Sequence, residues 1–152
     1  MLNEDYKEML QCLSGENVRF LLVGAYAVAA YGYPRATKDL DLFVQPAPEN
    51  ASNLMRALAR FGAPLSGVSV ADFSNEGIVF HIGSNPRRID ILTQISGVEF
   101  QQAYERRKTV CLEGIDVPVI SLEDLIANKR ATGRKQDLAD VERLESRLHG
   151  NR

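Results

Sequence analysis

The chain is short of the residues that build covalent or soft-metal frameworks. It has two cysteines and two histidines in 152 residues, all scattered. Cys12 and Cys111 stand alone, which excludes a disulfide scaffold and points to a reducing compartment. No Cys/His cluster has the spacing of a zinc site. No run approaches the roughly 18 apolar residues that span a bilayer. The first residues, Met1-Leu2-Asn3-Glu4-Asp5, are acidic and lack the apolar core of a signal peptide. These absences lead us to expect a cytoplasmic protein that does not engage a membrane. A positive charge excess is missing too: the net charge is −2 and the isoelectric point about 5.7. That argues against broad, nonspecific coating of nucleic acid, while leaving room for local contact with an RNA end. There is no internal repeat, long linker or low-complexity segment. With 25% charged and 45% hydrophobic residues, the composition is that of an ordinary globular protein, and residues 1–152 are expected to form a single domain large enough to bury a core.

What the chain does have is Asp39-Leu40-Asp41, at the head of the apolar run Leu40-Asp41-Leu42-Phe43-Val44. The run reads as a strand. Side chains alternate along a strand, so two carboxylates two residues apart point the same way. Like charges on one face of a buried strand repel and lose hydration, and a divalent cation is the simplest compensation. The alternative is an edge strand with its carboxylates in water.

Upstream, Phe20-Leu21-Leu22-Val23 reads as a buried strand, ended by Gly24. The Ala-rich stretch 25–31 is a short helix by propensity, stopped by Gly32 and then Pro34. A glycine between strand and helix allows a ligand to approach the backbone, and the free N–H groups of the first helical turn, at Gly24 and Ala25, suit a phosphate. Arg35 and Thr37 lead into the acidic strand. Each has a structural alternative: Arg35 as an ion-pair partner of Asp39 or Asp41, Thr37 as a turn cap. A phosphate seat beside a carboxylate pair is equipment for phosphoryl or nucleotidyl transfer.

Over residues 20–44 the pattern resembles the DNA polymerase β-type nucleotidyltransferase superfamily. The likeness is to its small bacterial branch, which includes the toxins of type IV toxin–antitoxin systems. Gly24, Ala27, Gly32, Arg35, Thr37, Asp39 and Asp41 match that branch. Ala25 departs from the usual Gly or Ser, keeping the backbone N–H but offering no hydroxyl. The resemblance implies a third carboxylate on a later strand, for which Asp90 in Arg88-Ile89-Asp90-Ile91-Leu92 is the candidate. Ile89 and Ile91 fall on one face of that strand and Asp90 on the other, although a solvated face shared with Arg88 would look the same. It implies that Asp39, Asp41 and Asp90 are catalytic and hold two Mg²⁺ (or Mn²⁺) ions, since hard oxygen donors favour these over zinc. The co-substrate would be an NTP, whose NMP group moves to a hydroxyl on an RNA 3′ end or a protein. A toxin role, with an antitoxin protein as partner, belongs to the same implication. Two other functions stay open: a small-molecule (antibiotic) nucleotidyltransferase, against which the shortness of the chain counts, and a catalytically silent member that binds nucleotide or a partner.

A second constellation runs from Ser121 to Leu138. Ser121 and Asp124 have capping-box spacing. Leu122, Leu125, Ile126 and Lys129 recur on one helical face, so Lys129 extends an apolar stripe; such a lysine either snorkels or meets an anion. The resemblance implies that Lys129 contacts the triphosphate, with Arg134, Lys135 and Asp137 lining the same cleft. A solvated basic turn is the alternative for the last three.

The element order read from periodicity and turn residues is helix 2–13, strand 18–23, helix 25–31, strand 39–44, helix 49–61, a loop-like stretch 62–75, strands 77–82 and 88–93, helix 100–106, strands 109–112 and 115–120, and helices 122–131 and 135–148. In the last helix Leu138, Val141, Leu144 and Leu148 are expected to face inward. The order fits an α+β fold: a mixed β-sheet nucleotidyltransferase core covered by helices, with C-terminal helices closing the cleft.

Overall fold

The structure, a computed structural model, describes residues 2–33 and 39–150. Arg35 and Thr37 lie outside the described residues. Six strands, β1 (Phe20–Val23), β2 (Leu40–Val44), β3 (Val79–Ile82), β4 (Ile89–Leu92), β5 (Lys108–Leu112) and β6 (Ile115–Val119), form one sheet in the order β3-β4-β2-β1-β6-β5. It is mixed: β1 with β6 and β2 with β4 are parallel, and the other pairs antiparallel. The α+β architecture with a C-terminal helix pair is as the sequence leads one to expect.

The central strands β1 and β2 are buried along nearly their whole length, as continuous aliphatic runs require. Alternation divides β2. Leu40, Leu42 and Val44 face one way and are fully buried, whereas Asp41 and Phe43 face the other. At the far end of that second face Phe43 packs edge-on against Phe100 of α5 (Phe100–Glu105), with ring centroids 5.1 Å apart; the near end carries the carboxylates.

Among the helices, α1 (Glu4–Gly15) packs on α3 (Pro48–Phe61). Buried Tyr6 of α1 stacks edge-on against Tyr26 of α2 (Gly24–Ala30) and donates its hydroxyl to the Arg88 carbonyl at 3.0 Å, which ties the entrance of β4 to α1. Tyr31 donates to the Ile120 carbonyl at 2.7 Å and fixes the end of α2 against the exit of β6. The stretch 62–75 is more ordered than its weak periodicity suggests: α4 (Val70–Phe73) is capped reciprocally by Ser69 and Asp72, and Phe73 is fully buried against Phe80.

The helices α6 (Leu122–Thr132) and α7 (Lys135–Gly150) form the C-terminal hairpin, turned at Gly133 in a left-handed conformation (φ +69°). Ser121 caps α6 by accepting from the Asp124 N–H at 3.1 Å. The stripe that α7 turns inward is Asp137, Asp140, Val141 and Leu144. Leu138, expected inside, is instead 51% exposed. The first turn of α7 presents carboxylates to Lys129, and that rotates the neighbouring position out. No helix among the described residues is long and apolar enough to cross a membrane.

Candidate active site

Asp41 and Asp90 meet because β2 and β4 pair in parallel with Leu40 opposite Ile89 and Asp41 opposite Asp90. Facing residues on neighbouring strands put their side chains on the same side of the sheet. Asp39, two residues before Asp41, joins them. The three sequence-predicted carboxylates are thus brought to one face.

Their surroundings are charged, and burial differs among them. Asp90 is 6% exposed. Arg88 spans two of the acids: its Nη2 donates to Asp39 Oδ2 at 2.8 Å and to Asp90 Oδ2 at 3.1 Å, while its Nε lies 3.0 Å from Asp90 Oδ1. On the other side of Asp90, His81 of β3 places Nδ1 2.6 Å from Asp90 Oδ1, because the β3–β4 register sets His81 opposite Asp90. Among the described residues, Asp41 has no such cation paired with it. Burial first, then the charges of Asp90 and Asp39 and a hydrogen bond shared with Asp90, push its carboxyl up to about 7, against a downward pull from Arg88.

Asp41 is also pressed against Gly24. A Cβ on residue 24 would stand 2.3 Å from Asp41 Oδ2, and Gly24 has φ +69°. Both the backbone conformation and the close approach demand glycine. The sequence reading assigned this glycine to an approaching ligand; what approaches it is the protein's own carboxylate. The N-terminus of α2 has no side-chain cap and no acidic residue in its first turn.

A cleft of about 530 Å³ opens from Asp41 and Gly24 to the α6–α7 hairpin, with Lys129, Thr132, Arg134 and Asp137 on its far wall. That volume lies within the usual range for small-molecule sites. Lys129 lines the cleft, but its buried ammonium is held 3.2 Å from both Asp137 Oδ1 and Asp140 Oδ2. Asp137 also accepts from Arg134 Nε at 2.7 Å and from the Thr132 hydroxyl at 2.6 Å. Burial alone would raise the Asp137 carboxyl, but the hydrogen bonds from Arg134, Thr132 and Lys129 hold it at about 2. Arg134, with 76% of its side chain exposed, is the solvent-facing cation of this wall. Lys135 is exposed and does not line the cleft, nor does Ala25.

Among the described residues, no three acidic, histidine or cysteine side chains already stand grouped as a metal site; Arg88 occupies the ground between Asp39 and Asp90. The donor set nevertheless fits a hard divalent cation. It consists of carboxylates sharing a face, and Asp39 Oδ1 is buried with no hydrogen-bond partner among the described residues. An unpaired buried carboxylate oxygen is costly unless something positive reaches it.

Sequence reasoning missed His81 and Asp140 and noticed Arg88 only as a neighbour on the Asp90 face. Arg88 was findable, since position i−2 on a strand shares a face with position i. His81 was not, because nothing in its segment specifies the register against β4.

The model of a family described as nucleotidyl transferase of unknown function (DUF2204) matches residues 2–151. No curated protein matches the sequence. Several solved structures share the fold. A Thermotoga maritima protein described as a nucleotidyltransferase has a TM-score of 0.61 and 17% identity over 100% of this chain and 97% of its own. The lincosamide antibiotic adenylyltransferase LnuA, solved with lincomycin bound, has a TM-score of 0.62 and 15% identity over 96% of this chain and 98% of its own. The antibiotic-resistance factor ANT(2″)-Ia has a TM-score of 0.66 and 14% identity over 97% of this chain and 84% of its own.

Proposed function

We propose, for a chain that belongs to the nucleotidyl transferase family DUF2204, that it is a metal-dependent nucleotidyltransferase moving an NMP group from an NTP to a hydroxyl acceptor. The observation that carries this reading is the juxtaposition of Asp41, which lines the cleft, with Asp90 across β2 and β4, with Asp39 on the same face. Such a pair is stable as two anions only when a cation joins it.

Asp39, Asp41 and Asp90 would hold Mg²⁺ or Mn²⁺. When bound, such a cation supplies acidification of the acceptor hydroxyl and screening of the triphosphate charge. The chain's own residues do the rest. Asp41, seated against the backbone of Gly24, fixes where the reacting phosphate lies. The uncapped N–H of Gly24, which lines the cleft, donates to a phosphate oxygen. Arg134 swings from Asp137 toward the anionic tail. Lys129, Asp137 and Thr132 form the wall that positions Arg134, and Arg35 and Thr37 precede the acidic strand in the chain. Lys135 contributes at most to the outer field.

For the acceptor, the likeness to the toxin branch supports an RNA 3′ end or a protein hydroxyl, with an antitoxin as partner. A second reading, a small hydroxyl-bearing molecule, is favoured by two observations. LnuA, an antibiotic adenylyltransferase, is spanned along 98% of its length by 96% of this chain, so shortness does not count against a small acceptor. A groove of about 730 Å³ also adjoins the cleft through Gln94, Ile95 and Gly97; its charged residues are Glu76 and Glu99, and no basic residue lines it. Those carboxylates suit a neutral or amine-bearing acceptor better than a phosphate backbone.

The test is transfer of label from α-labelled NTPs in the presence of Mg²⁺, offering an RNA pool, a protein pool and aminoglycoside or lincosamide acceptors in parallel, with Asp41→Asn as control. Label on an acceptor with wild type and none with the variant supports the reading. Equal behaviour of the two proteins removes it, and NTP binding without transfer leaves a silent nucleotide-binding member.

A further inference from the structure

Three carboxylates on one sheet face need positive charge whether or not a metal is present. The protein supplies some of it internally. The Arg88 guanidinium engages Asp39 Oδ2 at 2.8 Å and Asp90 Oδ2 at 3.1 Å through one nitrogen, and Asp90 Oδ1 at 3.0 Å through another. One hydrogen-bonding nitrogen thus bridges two carboxylates, while Nε lies near Asp90 Oδ1 without a hydrogen bond among the described residues; the planar guanidinium spans the two acids, where an ammonium would reach as a point charge. The oxygens it occupies are donors a metal would require. The site is therefore filled by a side chain and not open.

We propose that Arg88 is the resident counter-ion of the metal-free protein, and that a divalent cation binds by displacing its guanidinium from Asp39 and Asp90. This rests on the reading that the three aspartates hold a divalent cation.

Three observations make the displacement physically reasonable. The Arg88 side chain is 33% exposed, so it has water to swing into. Its backbone need not follow, because the Arg88 carbonyl is anchored by the buried Tyr6 hydroxyl. Asp90 keeps its orientation when the guanidinium leaves, because His81 holds it from β3 at 2.6 Å. Among the described residues nothing hydrogen-bonds Asp39 Oδ1, so the Arg88 guanidinium does not engage every oxygen of the cluster, which is the opening a divalent ion exploits.

Competition for the same oxygens has a reciprocal signature: Arg88 weakens metal binding by the same factor by which metal weakens the Arg88 contacts. The experiment is a Mn²⁺ titration followed by the electron paramagnetic resonance signal of the free ion, together with thermal melting with and without Mn²⁺. Arg88→Gln keeps hydrogen-bonding capacity but loses the charge. Its expected result is Mn²⁺ binding tighter by roughly 5- to 150-fold, the range usual for such couplings, with a lower melting temperature without metal and a larger rise at saturating Mn²⁺. Arg88→Lys, which keeps the charge but not the fork, should fall between. It also serves if the glutamine variant does not fold. Unchanged or weaker Mn²⁺ binding by the folded variants, with wild type binding normally, overturns the displacement and makes Arg88 a residue that positions Asp90. Failure of wild type and Arg88 variants alike to bind Mn²⁺ removes the metal reading itself, and this inference with it.

Discussion

Replacing Asp41 by asparagine should make the metal-free protein more stable above neutral pH while ending nucleotidyl transfer. Asp41 is half-buried beside Asp90, with Asp39 nearby, and its carboxyl is pushed up from 3.8 to about 7. The fold therefore prefers the protonated form. A carboxyl whose folded value is raised contributes its full stability below its unfolded value and loses it as pH rises through the folded value. Wild type should thus lose stability between about pH 4 and pH 7.5, from the unfolded to just past the folded value. Three units at 1.36 kcal/mol each give about 4 kcal/mol as a ceiling. The proton is shared with Asp90, so part of that belongs to the pair, and about 2–4 kcal/mol is the expected loss. Asparagine imitates the protonated acid: its amide donates to Asp90 and never ionises. At pH 8.5 the variant should therefore melt roughly 5–10 °C above wild type, at the 2–4 °C per kcal/mol usual for chains of this size. At or below about pH 4, where both folded and unfolded carboxyls hold their proton, the two should nearly coincide. Millimolar Mg²⁺ should raise wild type at high pH and leave the variant unmoved. The assay is thermal melting by circular dichroism across pH, with and without Mg²⁺. A variant equal to or less stable than wild type at pH 8.5 would refute the claim that charge crowding at Asp41 destabilises the metal-free fold.

Gly24→Ala should disturb the same carboxylate from the other side. Its Cβ would lie 2.3 Å from Asp41 Oδ2 at a backbone φ of +69°, so a loss of at least about 1–3 kcal/mol is expected from strain alone, readable in urea unfolding, with transfer falling more than stability explains. Lys129→Met should remove the cation that Asp137 and Asp140 share, leaving Asp137 with Arg134, and lower unfolding stability by up to about 3–5 kcal/mol. Adding Asp140→Asn to that variant should recover part of the loss, whereas no recovery would show that Lys129 acts through something other than this ion-pair cluster.

Much of the molecule was legible in particular segments. The aliphatic run at 20–23, the Gly24 stop and the alternation of Leu40, Leu42 and Val44 against Asp41 and Phe43 are local properties, and the strands appear where those patterns stand. The stretch around Val70–Phe73 was not legible. Four residues are too few to show a period, and the helix exists because Phe73 finds Phe80 and because Ser69 and Asp72 cap it. Leu138 misled for a related reason: helical spacing gives a face, but which face is inward depends on the partner, and here Lys129 draws Asp137 and Asp140 inward instead.

The sequence by itself determined which stretches become strands and helices, and that Asp39 and Asp41 share a side, because backbone periodicity is a property of neighbours in the chain. Only the tertiary structure decided that Asp90 stands level with Asp41, that Arg88 and His81 grip it, and that Lys129 is spoken for by α7. Strand register and helix facing are fixed by the fit of distant surfaces, and no local pattern encodes that fit.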